Sequence, residues 1–218
     1  MDEYPHRFLK VLVFCEVGLM EISVIITNYN YEKYIARAFR SVINQSFNKD
    51  EYEIIIIDDH STDNSKSILC SFLAQPKLIF NDKNLGVAAS CNKALRLSMG
   101  TYIIRLDADD YVSRDWLKMH HLFLSSNKGE MDATSSDYVE VDENEKILCR
   151  KNGTTWPIAC GVMYKLDHVV ELGLYNVDLP REDVDFRQRF VKSGKQIYNI
   201  PVPLYRYTQH KDSFTKSL

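Results

Sequence analysis

Two hydrophobic periods alternate along the first half of the chain. Residues 22–27 (ISVIIT) form a β-branched run, which predicts a strand buried on both faces. The polar residues 28–31 follow. Within 32–44, Tyr34, Ile35, Ala38, Phe39, Val42 and Ile43 then recur at helical spacing. Residues 53–57 (EIIII) predict a second buried strand, stopped at Asp58 and Asp59. Ser61 to Asp63 are helix-capping residue types, and Ile68, Leu69, Phe72 and Leu73 supply the apolar stripe of the helix that they open. Residues 77–81 predict a short strand and 86–98 a helix. Residues 102–106 (YIIRL) predict a strand that ends in Asp107, Ala108, Asp109 and Asp110, and 115–126 another helix.

Strand–helix alternation of this kind, over about the first 110–125 residues, argues for a parallel sheet covered by helices. The pattern then loosens. Residues 132–141 and 158–164 read as strands, 166–172 and 182–193 as helices, and 196–207 as paired strands around Pro201 and Pro203. The half from Gly129 is α+β in character. No linker rich in Gly, Pro or Ser divides the chain, so one domain is expected, with residues 1–21 as an N-terminal extension and 22–218 as the folded unit.

Composition narrows the function classes. The 218 residues carry 27 Lys plus Arg against 30 Asp plus Glu, a net charge of −3, which leaves no basic excess for a nucleic-acid partner. Hydrophobic residues at 45% and charged residues at 26% are those of a soluble globular chain able to bury a core without disulfides. Cys15, Cys70, Cys91, Cys149 and Cys160 are scattered with no C-x-x-C spacing, which points to reduced thiols and a cytoplasmic setting. The apolar run at 8–20 contains Lys10 and Glu16 and is shorter than a membrane span, so a buried strand or an interfacial segment is expected there, with no transmembrane segment. A P-loop, a G-x-G-x-x-G after the first strand, a G-x-S-x-G elbow and Cys/His zinc spacing are all absent from the sequence.

The polar residues collect where chemistry is expected. In open parallel sheets, ligands bind beyond the carboxyl ends of the strands. Three predicted strands end there in Thr27-Asn28-Tyr29-Asn30, in Asp58-Asp59 and in Asp107-Ala108-Asp109-Asp110. Close carboxylates repel one another, and a hard divalent cation, Mn²⁺ or Mg²⁺, offsets that repulsion better than a solvated turn does. Asp58 and Asp59 read either as helix caps or as acceptors for a nucleotide base or ribose. Tyr29 reads as a stacking ring or a partly buried aromatic. Asn84 and Gly86 open a helix whose first N–H groups favour an anion or simply make a capped turn. Asp183 stands in a first helical turn, either to serve the helix dipole or as a general base. His210 reads as a contact for a metal or pyrophosphate, or as a surface residue in a tail.

Four blocks, ISVIITNYN (22–30), IDDHSTDN (57–64), NLG (84–86) and LDADD (106–110), resemble in order and spacing the family-2 glycosyltransferases, with Glu182-Asp183 and His210-x-x-Ser213 where later blocks would fall. The resemblance implies the GT-A fold: one α/β domain whose mostly parallel nucleotide-binding sheet has helices on both faces, with a donor half at 22–117 and an α+β acceptor half and tail at 118–218. It implies a metal-dependent, inverting transfer of a sugar from a nucleotide-sugar donor, UDP-sugar first, to a hydroxyl of a glycan or lipid-linked acceptor in surface polysaccharide or glycolipid synthesis. Work in the cytoplasm, including peripheral contact with the inner membrane surface, is implied with it. By the same resemblance Thr27 and Tyr29 line the base site, with Tyr29 stacking on uracil, and Asp59 hydrogen-bonds the base with Asp58 beside it. Asn30 and Asn84 join the nucleotide-sugar site, Asp107 lies by the ribose or metal, Asp109 is the principal metal ligand with His210 near it, and Asp183 is the catalytic base. The chain has Cys91 where the family often has Arg, and His60 where it usually has Gly. Two rivals are a nucleotide-binding module without catalysis and a sugar-1-phosphate nucleotidylyltransferase. Asp109 and Asp183 argue against the first. The second expects a Gly-rich basic loop where Asn28 to Tyr31 stand.

Overall fold

The computed structural model describes residues 20–74, 76–126 and 131–211. Apart from Met20, the apolar run at 8–20 lies outside them, as do Cys15 and Ser213. In chain order the described elements are β1 (Ile22–Asn28), α1 (Ile35–Ile43), a 3₁₀ turn (Lys49–Glu51), β2 (Tyr52–Asp58), α2 (Ser65–Cys70), β3 (Lys77–Phe80), α3 (Val87–Leu97), β4 (Tyr102–Asp107) and β5 (Tyr111–Val112). There follow α4 (Trp116–Ser126), β6 (Ala133–Val141), β7 (Ile147–Lys151), β8 (Met163–Lys165), α5 (Leu166–Glu171), α6 (Glu182–Lys192) and β9 (Ile197–Thr208).

These strands join one sheet in the order β3-β2-β1-β4-β8-β6-β9-β5, with β7 beside β6. β1 to β4 pair in parallel: β1 lies between β2 and β4, and β3 flanks β2. β8 then enters antiparallel to both β4 and β6, and β9 runs parallel to β6.

The sheet is sandwiched, which explains the continuous apolar runs. Side chains alternate across a strand. On one face Val24, Ile26, Ile56, Ile104 and Leu106 pack with Ile35, Phe39 and Val42 of α1, Leu69 of α2 and Trp116 of α4. On the other, Ile25, Ile55, Ile57 and Ile103 pack with Ala88, Cys91 and Leu95 of α3, Val169 of α5, and Phe186 and Phe190 of α6. Each fully buried aliphatic side chain is worth about 1.5–3 kcal/mol, so β1, β2 and β4 are the stable frame of the sheet.

Four expectations change. Leu73 does not belong to a helical stripe: α2 stops at Cys70, and Leu73 is 98% exposed. The strand expected at 158–164 shrinks to Met163–Lys165, because the chain turns at Gly161. Its φ of +74° is one that L residues rarely adopt, and an added Cβ would lie 2.8 Å from the Tyr205 ring. The pair of strands expected at 196–207 is one long strand, β9. Its register against β6 shifts on both sides of Asp137, and these irregularities absorb Pro201 and Pro203, which cannot donate to a ladder. β5 and β7 were not anticipated. Cys70, Cys91, Cys149 and Cys160 are free thiols. No helix among the described residues is long and apolar enough to cross a membrane.

Candidate active site

Ladder register brings three strand ends to one edge. Thr27 pairs with Ile57 on one side and with Asp107 on the other, and Asn28 pairs with Asp58. The loops after β1 and β2 are then laced together. Asn30 adopts a left-handed φ of +57°; its Oδ1 accepts the Thr62 N–H at 2.8 Å, and its own N–H goes to Ser61 Oγ at 2.9 Å. The Glu32 N–H donates to Asp63 Oδ2, and Glu32 Oε2 accepts the Asn64 N–H. His60, where the family usually has Gly, also takes a left-handed φ, +67°. Tyr29 projects from this loop with 43% of its surface exposed, a ring open to stacking.

Asp58 and Asp59 are both buried, and their four oxygens accept six protein hydrogen bonds. Asp58 takes Asn28 Nδ2 and the N–H and hydroxyl of Ser61. Asp59 takes Asn81 Nδ2 and the N–H groups of Leu85 and Gly86. The anion at the start of α3 is therefore the Asp59 carboxylate itself. Exposed Asn84 caps the same turn by accepting the Gly86 N–H at 3.0 Å. A carboxylate offers about four lone-pair positions, so one remains on each residue, on Asp58 Oδ1 and Asp59 Oδ2.

The acidic loop after β4 is braced from the far end of the chain. Asp109 Oδ2 lies 2.8 Å from His210 Nε2, and the His210 side chain is fully buried between the rings of Tyr31 and Tyr34. The expectation of a surface histidine in a loose tail is thus corrected. Asp110 is buried; one oxygen accepts the Thr208 N–H and the other the Tyr205 hydroxyl, both at 2.7 Å. Arg37, stacked 4.4 Å from the Tyr111 centroid, donates to the Asp109 carbonyl and to Thr208 Oγ1, tying α1 to the loop. Burial, then the charges of Asp109 and Asp107, push the Asp110 carboxyl well above its usual range, against the pull of its two hydrogen bonds. Burial and the same acids raise the Tyr31 phenol.

Among the described residues, the ligand atoms that crowd within 4.8 Å are those of Asp107, Asp110 and Cys160, not the expected Asp107, Asp109 and His210. The crowded set is the poorer donor set. Burial keeps the Cys160 thiol protonated, and both Asp110 oxygens are already engaged. Asp107 is part-exposed and Asp109 adds a second carboxylate, oxygen donors that suit Mn²⁺ or Mg²⁺, while His210 Nε2 is engaged with Asp109 Oδ2.

Asp183 occupies the first turn of α6, half-buried, and its carboxylate has no hydrogen bond or ion pair among the described residues. Its neighbour Glu182 is buried and meets Arg105 Nη1 at 3.1 Å, while Arg105 Nε meets Asp107 Oδ1 at 3.1 Å. The edge thus gathers Thr27, Tyr29, Asn30, Asp58, Asp59, Asn84, Asp107, Asp109 and His210, and Asp183 connects to it through Glu182 and Arg105. Arg105, Arg37 and Tyr205 were not anticipated. Only Arg105 left a signal, as a charged residue inside the apolar run YIIRL.

The family model described as Glycosyl transferase family 2 matches residues 23–169. An uncharacterized glycosyltransferase of Nostoc sp. is 32% identical over 167 residues, 67% of this chain and 51% of that protein. TarS of Staphylococcus aureus, a poly(ribitol-phosphate) beta-N-acetylglucosaminyltransferase, is 30% identical over 116 residues, 52% of this chain and 20% of its own length. The chain therefore spans about half of the first relative and a fifth of the second. In structure, TarS 1-349 in complex with UDP-GlcNAc superposes with a TM-score of 0.78 at 22% identity, covering 91% of this chain and 61% of that one. The mannosyltransferase PcManGT of Pyrobaculum calidifontis, in complex with GDP-Man and Mn²⁺, gives 0.71 at 17% identity, covering 90% and 59%. The fold is that of the GT-A glycosyltransferases.

Proposed function

Because the chain belongs to glycosyl transferase family 2, we propose that it moves a sugar from a UDP-sugar to a hydroxyl of a glycan or lipid-linked acceptor, with inversion at the anomeric carbon. We place this work in the cytoplasm, extending to the inner membrane surface. The observation that supports the reading is the convergence at one sheet edge of a laced loop pair and an acidic loop, with Asp183, whose carboxylate has no hydrogen bond among the described residues, tied to that edge through Glu182 and Arg105. The complex of TarS with UDP-GlcNAc supports the choice of uracil.

In this reading Tyr29 stacks on the base, and the remaining lone-pair position on Asp59 Oδ2 accepts a base N–H. Thr27 lines the floor beside Asp107, and Asn30 and Asn84 hold the loops that frame the donor. Asp107, Asp109 and His210 would hold Mn²⁺ or Mg²⁺, which when bound supplies Lewis-acid neutralisation of the charge on the departing diphosphate. Arg37, Tyr205 and Thr208 keep the acidic loop in place. Asp183 removes the acceptor hydroxyl proton as the acceptor oxygen bonds to the anomeric carbon on the face opposite the leaving oxygen. The bond to the diphosphate breaks through an oxocarbenium-like state, and the proton ends on the Asp183 carboxylate.

A thermal-shift panel of UDP-, GDP- and CDP-sugars with Mn²⁺, followed by UDP-release assays, tests this. A donor present at 100 times its Kd stabilises the fold by about 2.7 kcal/mol. UDP-sugars should raise Tm and release UDP slowly. Stabilisation only by GDP- or CDP-sugars sinks the uracil assignment, and binding with no turnover on any acceptor supports a module without catalysis.

A further inference from the structure

Arg105 itself has no direct part in the chemistry above, although its partner Asp107 does. Arg105 sits inside β4, two residues beyond Ile103, on the sheet face otherwise filled by Ile25, Ile55, Ile57 and Ile103. Its side chain is only 9% exposed. A buried charge is costly unless it is paired and hydrogen-bonded, and here the pairing is built in. Nε reaches Asp107 at 3.1 Å, Nη1 reaches Glu182 at 3.1 Å and Cys91 Sγ at 3.8 Å, and the guanidinium carbon lies 5.9 Å from the Tyr175 centroid. One planar group thus meets an acid of the donor edge, the inner face of α3 and the first turn of α6.

Elsewhere α6 is held by Arg189, which donates to the Leu172 and Leu174 carbonyls, and by aromatic packing. Phe186 and Phe190 pack edge-on against Tyr164 of β8 at 5.4 and 5.0 Å between centroids. This packing and the Arg189 bonds seat the body and later turns of the helix. The Arg105–Glu182 bond is directional, and it acts on the residue next to Asp183. Successive helical residues are 1.5 Å apart along the axis, so fixing Glu182 fixes where the Asp183 carboxylate can reach.

We infer that Arg105 is a positioning residue: by holding Asp107 and Glu182 with one guanidinium, it sets the distance and rotation of Asp183 relative to the donor-side acids. This rests on the reading of Asp183 as the base, and the experiment separates the two. The assay is UDP release from the UDP-sugar that stabilises the fold most, alongside calorimetric affinity for UDP with Mn²⁺. A misplacement of about 1 Å can cost on the order of 10²-fold in rate. Glu182→Gln leaves Arg105 paired with Asp107, and it should lower kcat by about tenfold or more with UDP affinity changed less than twofold. Added to Asp183→Asn, it should cost nothing further.

Arg105→Leu should be worse, at about 10²-fold. Cys91→Arg in the same chain should recover at least part of that loss, because position 91 returns a guanidinium to the vacated space from α3. If Arg105→Leu does not fold, Glu182→Gln decides alone. Full kcat in Glu182→Gln, a parallel loss of UDP affinity, or an equal further loss in the Asp183→Asn background overturns the inference while the base reading stands. Full turnover in Asp183→Asn itself removes the base reading, and the positioning role with it.

Discussion

His120 provides a stability test whose size follows from its surroundings. It lies on α4, fully buried, with its ring edge against Trp116 and its Nδ1 2.9 Å from Thr134 Oγ1. Its Nε2 has no partner among the described residues. Burial disfavours the imidazolium and lowers the pKa from 6.5 to about 3. The sign follows from proton counting: below pH 6.5 the unfolded chain binds a proton that the fold refuses, so stability falls with acid until the pH approaches 3. The slope is about 1.4 kcal/mol per pH unit, and from pH 7 to pH 5 this one side chain removes about 2 kcal/mol. Other groups titrate too, so the measured quantity is a difference. Urea unfolding of the wild type and of His120→Gln at both pH values should show the wild type losing about 2 kcal/mol more than the variant between them. Equal losses would mean that His120 accepts its proton in the fold, and the argument from burial would be wrong.

Three further outcomes are expected. Asp183→Asn should lower turnover by about 10²–10⁴-fold while UDP affinity stays within twofold, read by UDP release and calorimetry; unchanged turnover removes Asp183 from the chemistry. Tyr205→Phe takes one of the two donors from buried Asp110 and should cost about 1–3 kcal/mol in urea unfolding; a neutral result would mean that the hydroxyl braces nothing. Gly161→Ala puts a Cβ 2.8 Å from the Tyr205 ring at a φ of +74° and should destabilise by more than about 1 kcal/mol, with a Tm drop of at least 2 °C as the readout.

The parallel strands of the first half were legible because they are buried on both faces. EIIII and ISVIIT admit no solvent face, and their abrupt polar ends mark the sheet edge. The stripes of α1, α3 and α4 were equally plain. β7 was not: Ile147 and Leu148 are exposed on a strand that pairs with β6 alone, so no apolar alternation announces it. β9 was hidden by its prolines, whose cost is absorbed by irregular pairing with β6, a tertiary feature. The site divides in the same way. The acids follow their strands in sequence and could be read, whereas their partners are long-range. His210 stands 101 residues from Asp109, Tyr205 95 from Asp110 and Glu182 77 from Arg105. No local period encodes such pairs. The lone Arg in YIIRL, a charge where the core should be, was the one local sign of them.

The central claim is that the acidic edge holds a nucleoside diphosphate through a divalent cation, and calorimetric titration of UDP into the protein tests it most directly. With Mn²⁺ present, the wild type should bind UDP at least about tenfold, or 1.4 kcal/mol, more tightly than in chelator, and Asp109→Ala should bind equally weakly in both. Equal UDP affinity for the wild type with and without Mn²⁺ would contradict the account.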